Sequence, residues 1–409
     1  MRTLAREAVF KYNYAKLFNL DDEGLFDVLI KDFSEDDKKF ASSLNDTLDK
    51  NKNSFLEELD SIVYRYKIER ILSSDKCIIL LGMAESLIFP NTPKAVIIDE
   101  AVKLASKYST EKSPDFVNGI LAKYIKEWFM KILDGKALSL KIKNQLKEQV
   151  AIFKQKYNKD ITLAVILVGE NPASKIYVNN KIKAAEFIGI KSISLKLPED
   201  SSQKDIEQLI LSLSNDNNID GILVQLPLPK HLDEDYLLNL IPVSKDVDGF
   251  TEINCGKLSQ GKDCLLPCTP AGIIELIKSE NIELSGKNAV IIGRSNIVGK
   301  PIANLLLKEN CTVTICHSKT NNIAEISKKA DILIVAIGKP CFVTADMVKD
   351  GAVVVDVGIN RTENGLKGDI DFESIKEKSS FITPVPGGVG PMTIAMLMKN
   401  TYLCALKKV

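Results

Sequence analysis

Histidine is almost missing from this chain: 409 residues contain only two, His231 and His317. That scarcity nearly excludes a multi-histidine metal centre or a Ser–His–Asp triad. His231 follows Leu226-Pro227-Leu228-Pro229-Lys230 and reads as a surface loop residue. Acid–base chemistry therefore falls to lysine, tyrosine or carboxylates. Net charge is also lacking, with 54 Lys+Arg against 54 Asp+Glu. Such a balance provides no general attraction to nucleic acid or to an anionic membrane, so any such binding must come from a local patch. No stretch approaches the ~20 uninterrupted apolar residues of a membrane span. The opening Met1-Arg2-Thr3-Leu4-Ala5-Arg6-Glu7 has no signal-peptide core, so a cytoplasmic location is expected. The eight cysteines are scattered and form no CxxC pair, Cys264/Cys268 and Cys311/Cys316 being the close ones. Free thiols in a reducing compartment and no structural metal are the expectation.

What is present divides the chain. Its 409 residues exceed one ordinary core, and 45% hydrophobic with 26% charged residues is ordinary globular composition. Residues 1 to 128 read as helical. Apolar positions recur at three and four residues in Leu4, Ala8, Tyr12 and Ala15, and again in Phe55, Leu59, Ile62 and Tyr66. Pro93 suits the first turn of a helix over Lys94–Ala101. From Asp160 the pattern changes. Ile161–Val168 is a continuous apolar, β-branched run, followed by a helical stretch at 173–188, a strand at 192–197, a helix near 203–213 and a strand at 221–225. A second strand–helix series opens at Ala289–Gly293 and continues through 312–316, 332–336 and 353–357. Buried strands alternating with helices predict parallel α/β sheets, the second with Rossmann-like spacing. The junction at Glu127-Trp128-Phe129-Met130 reads either as a continuous helix or as a short turn.

Gly293-Arg294-Ser295-Asn296-Ile297-Val298-Gly299 lies between a predicted strand and helix, where backbone N–H groups can hold a pyrophosphate. It departs from GxGxxG, since Ser295 replaces the second glycine and the closing glycine comes one position late. The next strand ends in His317-Ser318-Lys319-Thr320, with no carboxylate to hold a ribose 2′-hydroxyl. Hydroxyl and cationic donors there, with Arg294 nearby, favour a 2′-phosphate and hence NADP(H).

Tyr177 and Lys181, four residues apart, share one face of the predicted helix. A lysine partly withdrawn from water can act as a base or a polarising acid. Gln225 ends an apolar strand, the edge at which α/β sheets bind ligands. Lys245-Asp246-Val247-Asp248-Gly249 offers two carboxylates, one able to fix an amino-pyrimidine-like edge and the other to cap local structure. Pro384-Val385-Pro386-Gly387-Gly388-Val389-Gly390-Pro391-Met392-Thr393 packs three prolines and three glycines into ten residues. Rigid, side-chain-poor backbone of this kind suits a flat ligand pressed against it.

Leu133-Asp134-Gly135-Lys136, Tyr177-Val178-Asn179-Asn180-Lys181, Val224–Pro229, Lys245–Gly249, Pro267-Cys268-Thr269-Pro270, Gly293-Arg294-Ser295 and the proline/glycine loop together carry a resemblance. Residues 131–409 resemble the bifunctional methylenetetrahydrofolate dehydrogenase/cyclohydrolase family, called FolD in bacteria. The resemblance implies NADP-dependent oxidation of 5,10-methylenetetrahydrofolate to the methenyl cation, then hydrolysis to 10-formyltetrahydrofolate, a step of one-carbon metabolism that feeds purine biosynthesis. It implies Lys181 as principal catalytic residue, Gln225 as its hydrogen-bond partner and Tyr177 stacked on the pterin. Asp248, in preference to Asp246, would bind the pterin's amino edge, while Gly387, Gly388 and Pro391 line the cleft. Gly293, Arg294, Ser295, Val298, Gly299, Ser318 and Ile359 would hold NADP, and a homodimer is implied.

The N-terminal segment resembles the transcription antitermination factor NusB in Ala5-Arg6-Glu7-Ala8, Ile97–Ala105 and Phe116–Leu121. That family is all-α and binds boxA RNA with ribosomal protein S10, which would put Arg2 and Arg6 against RNA. Composition pulls the other way, since residues 1–128 carry about three more acids than bases. A helical module kept for packing or dimerisation is the rival.

The expected architecture is therefore an all-α helical N-terminal domain (1–128) followed by α/β. The α/β part comprises a catalytic domain (131–268), a Rossmann-like NADP-binding domain (269–390) and a C-terminal helix (391–409) returning to the catalytic domain. Two other functions compete. One is an RNA/protein-binding regulator whose α/β part only binds NADP or folate, against which the intact Tyr177/Lys181/Gln225/Asp248 set argues. The other is a different Rossmann dehydrogenase; the missing catalytic histidine disfavours the hydroxy-acid type.

Overall fold

The computed structural model describes residues 2–18, 20, 24–63, 68–89, 92–129, 131–363 and 365–409. The chain forms two compact units, Met1–Phe129 and Met130–Val409.

The first unit is helical, with α1 (Arg2–Lys16), α2 (Leu25–Ile30), α3 (Glu35–Ile62), α4 (Ser73–Ile88), α5 (Lys94–Tyr108) and α6 (Ser113–Phe129). Ser34 starts α3 by accepting from the Asp37 N–H at 3.2 Å, and Glu35, Asp36 and Asp37 place negative charge at the helix's positive end. Pro93 sits at the N-cap of α5, just ahead of its first turn. Phe55, Leu59 and Ile62 are buried as their spacing predicts, while Tyr66 lies outside the described residues, as do Met1 and Met130.

The expected stripe on α1 is not the buried one. Leu4 is exposed, and the inward face carries Ala5, Ala8, Val9 and Phe10 together with the polar Arg6 and Asn13. The polar pair is tolerated because each finds a partner inside. Asn13 Nδ2 donates to Asn45 Oδ1 at 2.8 Å. Arg6, only 5% exposed, donates to the Glu85 carboxylate from Nε at 2.7 Å and Nη2 at 2.5 Å, and reaches Glu100 from Nη1 at 3.4 Å. This corrects the expectation that Arg6 faces RNA, since its fork is committed to two carboxylates in the interior.

Helix α6 runs to Phe129, and the chain then enters a strand. The second unit comprises β1 (Lys131–Ile132), α7 (Gly135–Tyr157), β2 (Thr162–Val168), α8 (Pro172–Ile188), β3 (Lys191–Leu197), α9 (Gln203–Asn215), β4 (Gly221–Val224), α10 (Glu234–Asn239), α11 (Glu252–Ser259) and α12 (Cys268–Ser279). It continues with β5 (Asn288–Ile292), α13 (Gly299–Lys308), β6 (Thr312–Cys316), α14 (Ile323–Ser327), β7 (Ile332–Val335), β8 (Val353–Asp356), β9 (Asn360–Thr362), β10 (Gly365–Lys367), α15 (Phe372–Ile375), β11 (Phe381–Ile382) and α16 (Val389–Leu406).

Two parallel sheets result. The first has the order β3-β2-β4, and every residue of its central strand β2 is buried, which is why that segment reads as an unbroken apolar run. The second has the order β1-β11-β8-β7-β5-β6 and is parallel throughout. Two features have no sequence signal strong enough to find. Strand β1 is two residues long, and β9 and β10 form a small antiparallel hairpin outside both sheets. Helix α16 packs against α7, α8 and α12. From it Asn400 Nδ2 donates to the Val247 carbonyl at 2.8 Å and the Leu266 carbonyl at 2.9 Å, tying the last helix to the Asp248 loop.

Replacing Arg6 by Met leaves Glu85 buried beside an apolar chain. The cost expected for such an orphaned charge is about 3–5 kcal/mol. Urea unfolding followed by helical circular dichroism measures it; an unchanged unfolding free energy would contradict the buried pair.

Candidate active site

Helix α8 carries Tyr177 and Lys181 toward one cavity, as their spacing requires. Lys181 is 7% exposed, and its Nζ donates to Gln225 Oε1 at 3.0 Å. Gln225 follows β4, where its backbone N–H donates to the Ile166 carbonyl at 2.9 Å. Its Nε2 donates to the Leu226 carbonyl at 2.7 Å, which turns Oε1 toward the lysine. The lysine is thus held by a neutral amide rather than by a carboxylate. Burial raises the Tyr177 phenol pKa, with the Arg361 charge opposing, so the hydroxyl stays protonated at neutral pH.

The two carboxylates of the acidic loop have separate surroundings. Asp246 is 2% exposed. It accepts from the N–H groups of Gly249 at 2.9 Å, Phe250 at 3.1 Å and Thr251 at 2.9 Å, and from Thr251 Oγ1 and Asn254 Nδ2 at 2.8 Å each. That carboxylate organises the loop. Gly249 makes the bend at φ +70°, where a Cβ would come within 2.8 Å of the Leu265 carbonyl oxygen. Asp248 instead lines the cavity with Tyr177, Lys181 and Gln225. Burial raises its carboxyl pKa, while the positive field of Lys181 opposes the shift. The cavity measures about 310 Å³ and takes Val298 and Ile359 into its wall from the second sheet's side. Cys268 and Thr269, which sequence reasoning assigned no role, line it too.

Gly387, Gly388 and Pro391 line a neighbouring cavity of about 610 Å³ that shares Tyr177 and Ile359 with the first. The proline/glycine loop is pressed onto the start of α7. Lys136 N–H donates to the Gly387 carbonyl at 2.9 Å, and a Cβ on Gly135 would strike the Gly388 oxygen at 1.8 Å.

The remaining nucleotide residues stand at the C-terminal ends of β5 and β6. The Gly293 N–H donates to the Cys316 carbonyl at 2.9 Å, joining the turn to the neighbouring strand. Gly293 has φ +131°, and a Cβ there would meet the Ala336 oxygen at 2.2 Å; one on Gly299 would meet the Gly293 oxygen at 2.4 Å. Ser295 Oγ accepts from the N–H groups of Val298 at 3.2 Å and Gly299 at 3.3 Å, closing the turn onto α13. Arg294 and Ser318 are exposed. A helix N-terminus bracketed by two glycines, with a guanidinium and hydroxyls beside it and no carboxylate after β6, fits a phosphorylated dinucleotide. Among the described residues no group of His, Cys, Asp or Glu could hold a metal ion. No helix there is long and apolar enough to cross a membrane. In the first unit Arg2 remains exposed, 5.1 Å above the Phe40 ring.

Residues 133–248 match the family model for the tetrahydrofolate dehydrogenase/cyclohydrolase catalytic domain, and residues 267–409 match that for its NAD(P)-binding domain. Residues 1–126 match the NusB family. The bifunctional protein FolD of Campylobacter hominis is 58% identical over 279 residues, 68% of this chain and 97% of the relative. The crystal structure of the Campylobacter jejuni FolD dehydrogenase/cyclohydrolase is similar at 53% identity and TM-score 0.67, covering 68% of this chain and all of that one (100%). The Trypanosoma brucei enzyme, solved with NADP and an inhibitor, is similar at 36% identity and TM-score 0.66, covering 68% of this chain and 98% of that one.

Replacing Gly293 by Ala forces a Cβ into the Ala336 carbonyl in a backbone region that L-residues avoid. Strain of about 1–3 kcal/mol corresponds to a loss in dinucleotide affinity of about 5- to 150-fold. Fluorescence titration with NADPH reads it, and an unchanged Kd would contradict the cradle.

Proposed function

The chain belongs to the tetrahydrofolate dehydrogenase/cyclohydrolase family, and from that membership we propose how its residues divide the work. The chemistry is oxidation of 5,10-methylenetetrahydrofolate to the 5,10-methenyl cation and hydrolysis of that cation to 10-formyltetrahydrofolate. The observation that carries the assignment of residues is the Lys181–Gln225 hydrogen bond inside a cavity that Tyr177 and Asp248 also line.

Asp248 takes the amino and ring-nitrogen edge of the pterin, a charge-assisted contact for which Asp246 has no spare capacity. Tyr177 lays its ring along the plane of the substrate, its hydroxyl neutral. Gly387, Gly388 and Pro391 supply a wall without protruding side chains. Lys181 works at the one-carbon centre. As water adds to the methenyl carbon, its amine accepts the proton, and it returns a proton to the leaving ring nitrogen as the ring opens. A cation repels an ammonium, so a lysine held by a carboxylate would be a poor base in this step. Gln225 places Nζ without adding a negative charge that would pin its proton.

Arg294, Ser295 and Ser318, with Gly293, Val298, Gly299 and Ile359, hold NADP, which when bound supplies the hydride acceptor. Preference for NADP over NAD rests on Arg294 and on the hydroxyl and cationic donors after β6. The homodimer is assigned to the α/β part, where β3 and β6 leave one edge of each sheet unpaired.

The NusB-family unit carries the antitermination module. We assign it boxA RNA and ribosomal protein S10 as partners, with the exposed Arg2 of α1 among the contacts to RNA. Arg6 holds the helices together instead. The reading of the α/β part as a mere NADP or folate sensor is not favoured, because such a sensor has no need of a buried lysine oriented by an amide.

Lys181→Met is expected to abolish cyclohydrolase activity, a loss of about 10²-fold or more for a general acid–base group. Methenyl decay in the presence of the variant, followed by absorbance, reads it. Decay at the wild-type enzymatic rate would sink the assignment.

A further inference from the structure

Two carboxylates lie buried at the carboxyl edge of the second sheet, outside the chemistry assigned above. Asp356 ends β8 and is 2% exposed, while Asp369 follows β10 and is fully buried at 0%. Each is held by N–H groups. Asp356 accepts from those of Gly358 and Asp369 at 2.9 Å each and of Ile370 at 3.1 Å. Asp369 accepts from the N–H groups of Ile337 at 2.7 Å and Gly338 at 2.9 Å, and from Asn360 Nδ2 at 2.8 Å. Among the described residues neither makes an ion pair. Burial pushes the Asp356 carboxyl pKa up to about 6, opposed by its N–H donors and reinforced by the Asp369 charge. The two side chains also cross. Asp356 fills the space that a Cβ on Gly368 would take, and Asp369 the space of one on Gly358. The pair thereby locks together the connection after β7, the one from β8 to β9 and the one after β10. A buried charge without a counter-ion costs stability even when hydrogen-bonded, and such costs concentrate at functional sites.

The segment that the pair holds borders the site. Val357 and Ile359 line the smaller cavity between Lys181 and Asp248 on one side and Ile297 and Val298 of the nucleotide turn on the other. Passage of a hydride needs its two carbons about 3–3.5 Å apart, and a displacement of about 1 Å can cost about 10²-fold in rate. The wall at 357–359 stands where that spacing is set. Lys181 and Gln225 belong instead to elements of the first sheet, and their hydrogen bonds are separate from those of the carboxylate pair.

We propose that Asp356 and Asp369 are positioning residues for hydride transfer, clamping Val357–Ile359 at the depth that brings the substrate's methylene carbon to the nicotinamide. In that step one C–H bond of the methylene group breaks. The hydride carries its electron pair to the nicotinamide ring, and the folate is left as the methenyl cation. Neither carboxylate gains or loses a proton, and hydrolysis stays with Lys181. The proposal rests on the reading of the smaller cavity as the site of both reactions.

The test compares the two activities in the same full-length protein. Asp356→Asn and Asp369→Asn keep the size of the side chain but turn an acceptor oxygen into a donor that faces N–H groups. Asn360→Ala removes a single donor and serves if either of them fails to fold. Dehydrogenase kcat should fall by about 10²-fold in the two Asn variants and by less in Asn360→Ala. Cyclohydrolase activity, measured on methenyltetrahydrofolate without NADP, and the NADPH Kd, read by fluorescence, should stay close to wild type. With substrate deuterated at the methylene carbon, the isotope effect on kcat should rise as hydride transfer becomes rate-limiting. In the ligand-free chain, amide hydrogen exchange should quicken at 337–338, 357–359 and 368–370 and stay unchanged in α8. Parallel loss of the two activities, or a slowed dehydrogenase with an unchanged isotope effect, overturns the clamp and leaves a structural pair. Full dehydrogenase activity in all three variants overturns it as well. No turnover of either folate by the wild type, with NADPH still bound, sinks the reading of the cavity and the clamp with it.

Discussion

The proposed active site is built around one contact, the hydrogen bond from Lys181 Nζ to Gln225 Oε1 at 3.0 Å. Its value lies in what it does not bring. In the proposed hydrolysis, a carboxylate in place of the amide would turn the contact into a salt bridge and make the lysine a poorer base. The rest of the second unit serves this pairing. Strand β4 delivers Gln225 at the carboxyl edge of the first sheet, and the amide's Nε2 donates to the Leu226 carbonyl. Helix α8 delivers Lys181 and Tyr177 together. Asp246 spends its oxygens on the loop's N–H groups, while Asp248 beside it lines the cavity.

Much of this was legible because short motifs with strict backbone demands carry the site. The glycine turn after β5 and the proline/glycine loop each require a local geometry that few other sequences satisfy, whereas the Tyr177–Lys181 interval only sets both on one face of a helix and gained its meaning from the accompanying motifs. The parallel sheets were equally readable, since a strand buried on both faces must be apolar throughout. Other features were invisible for physical reasons. Strand β1 is two residues long and has no period to detect. The β9–β10 hairpin is short and exposed, so no apolar alternation marks it. Lys143, Lys183 and Arg361 lie on three separate elements, and only the fold brings them to the larger cavity.

In the helical unit the failure ran the other way. A strict apolar period put Leu4 inside, yet the interior of α1 admits Arg6 and Asn13 because Glu85, Glu100 and Asn45 are there to meet them. Polar partners from distant segments outweigh local periodicity when they meet the buried donors. The resemblance that assigned Arg6 to RNA identified an important residue and misplaced its work. The ion pair joins α1 to α4 and α5 in the interior, while Arg2 stays exposed on α1.

The central claim is that the lysine works because its partner is neutral. Gln225→Glu changes one side-chain group and little volume, and it converts the pairing into a salt bridge. Cyclohydrolase rate and NADPH affinity should be measured together in that variant. The account predicts a fall in hydrolysis of about 10²-fold, within the usual range for a disabled acid–base group, with NADPH binding unaltered. Hydrolysis at the wild-type rate with the salt bridge in place would contradict it.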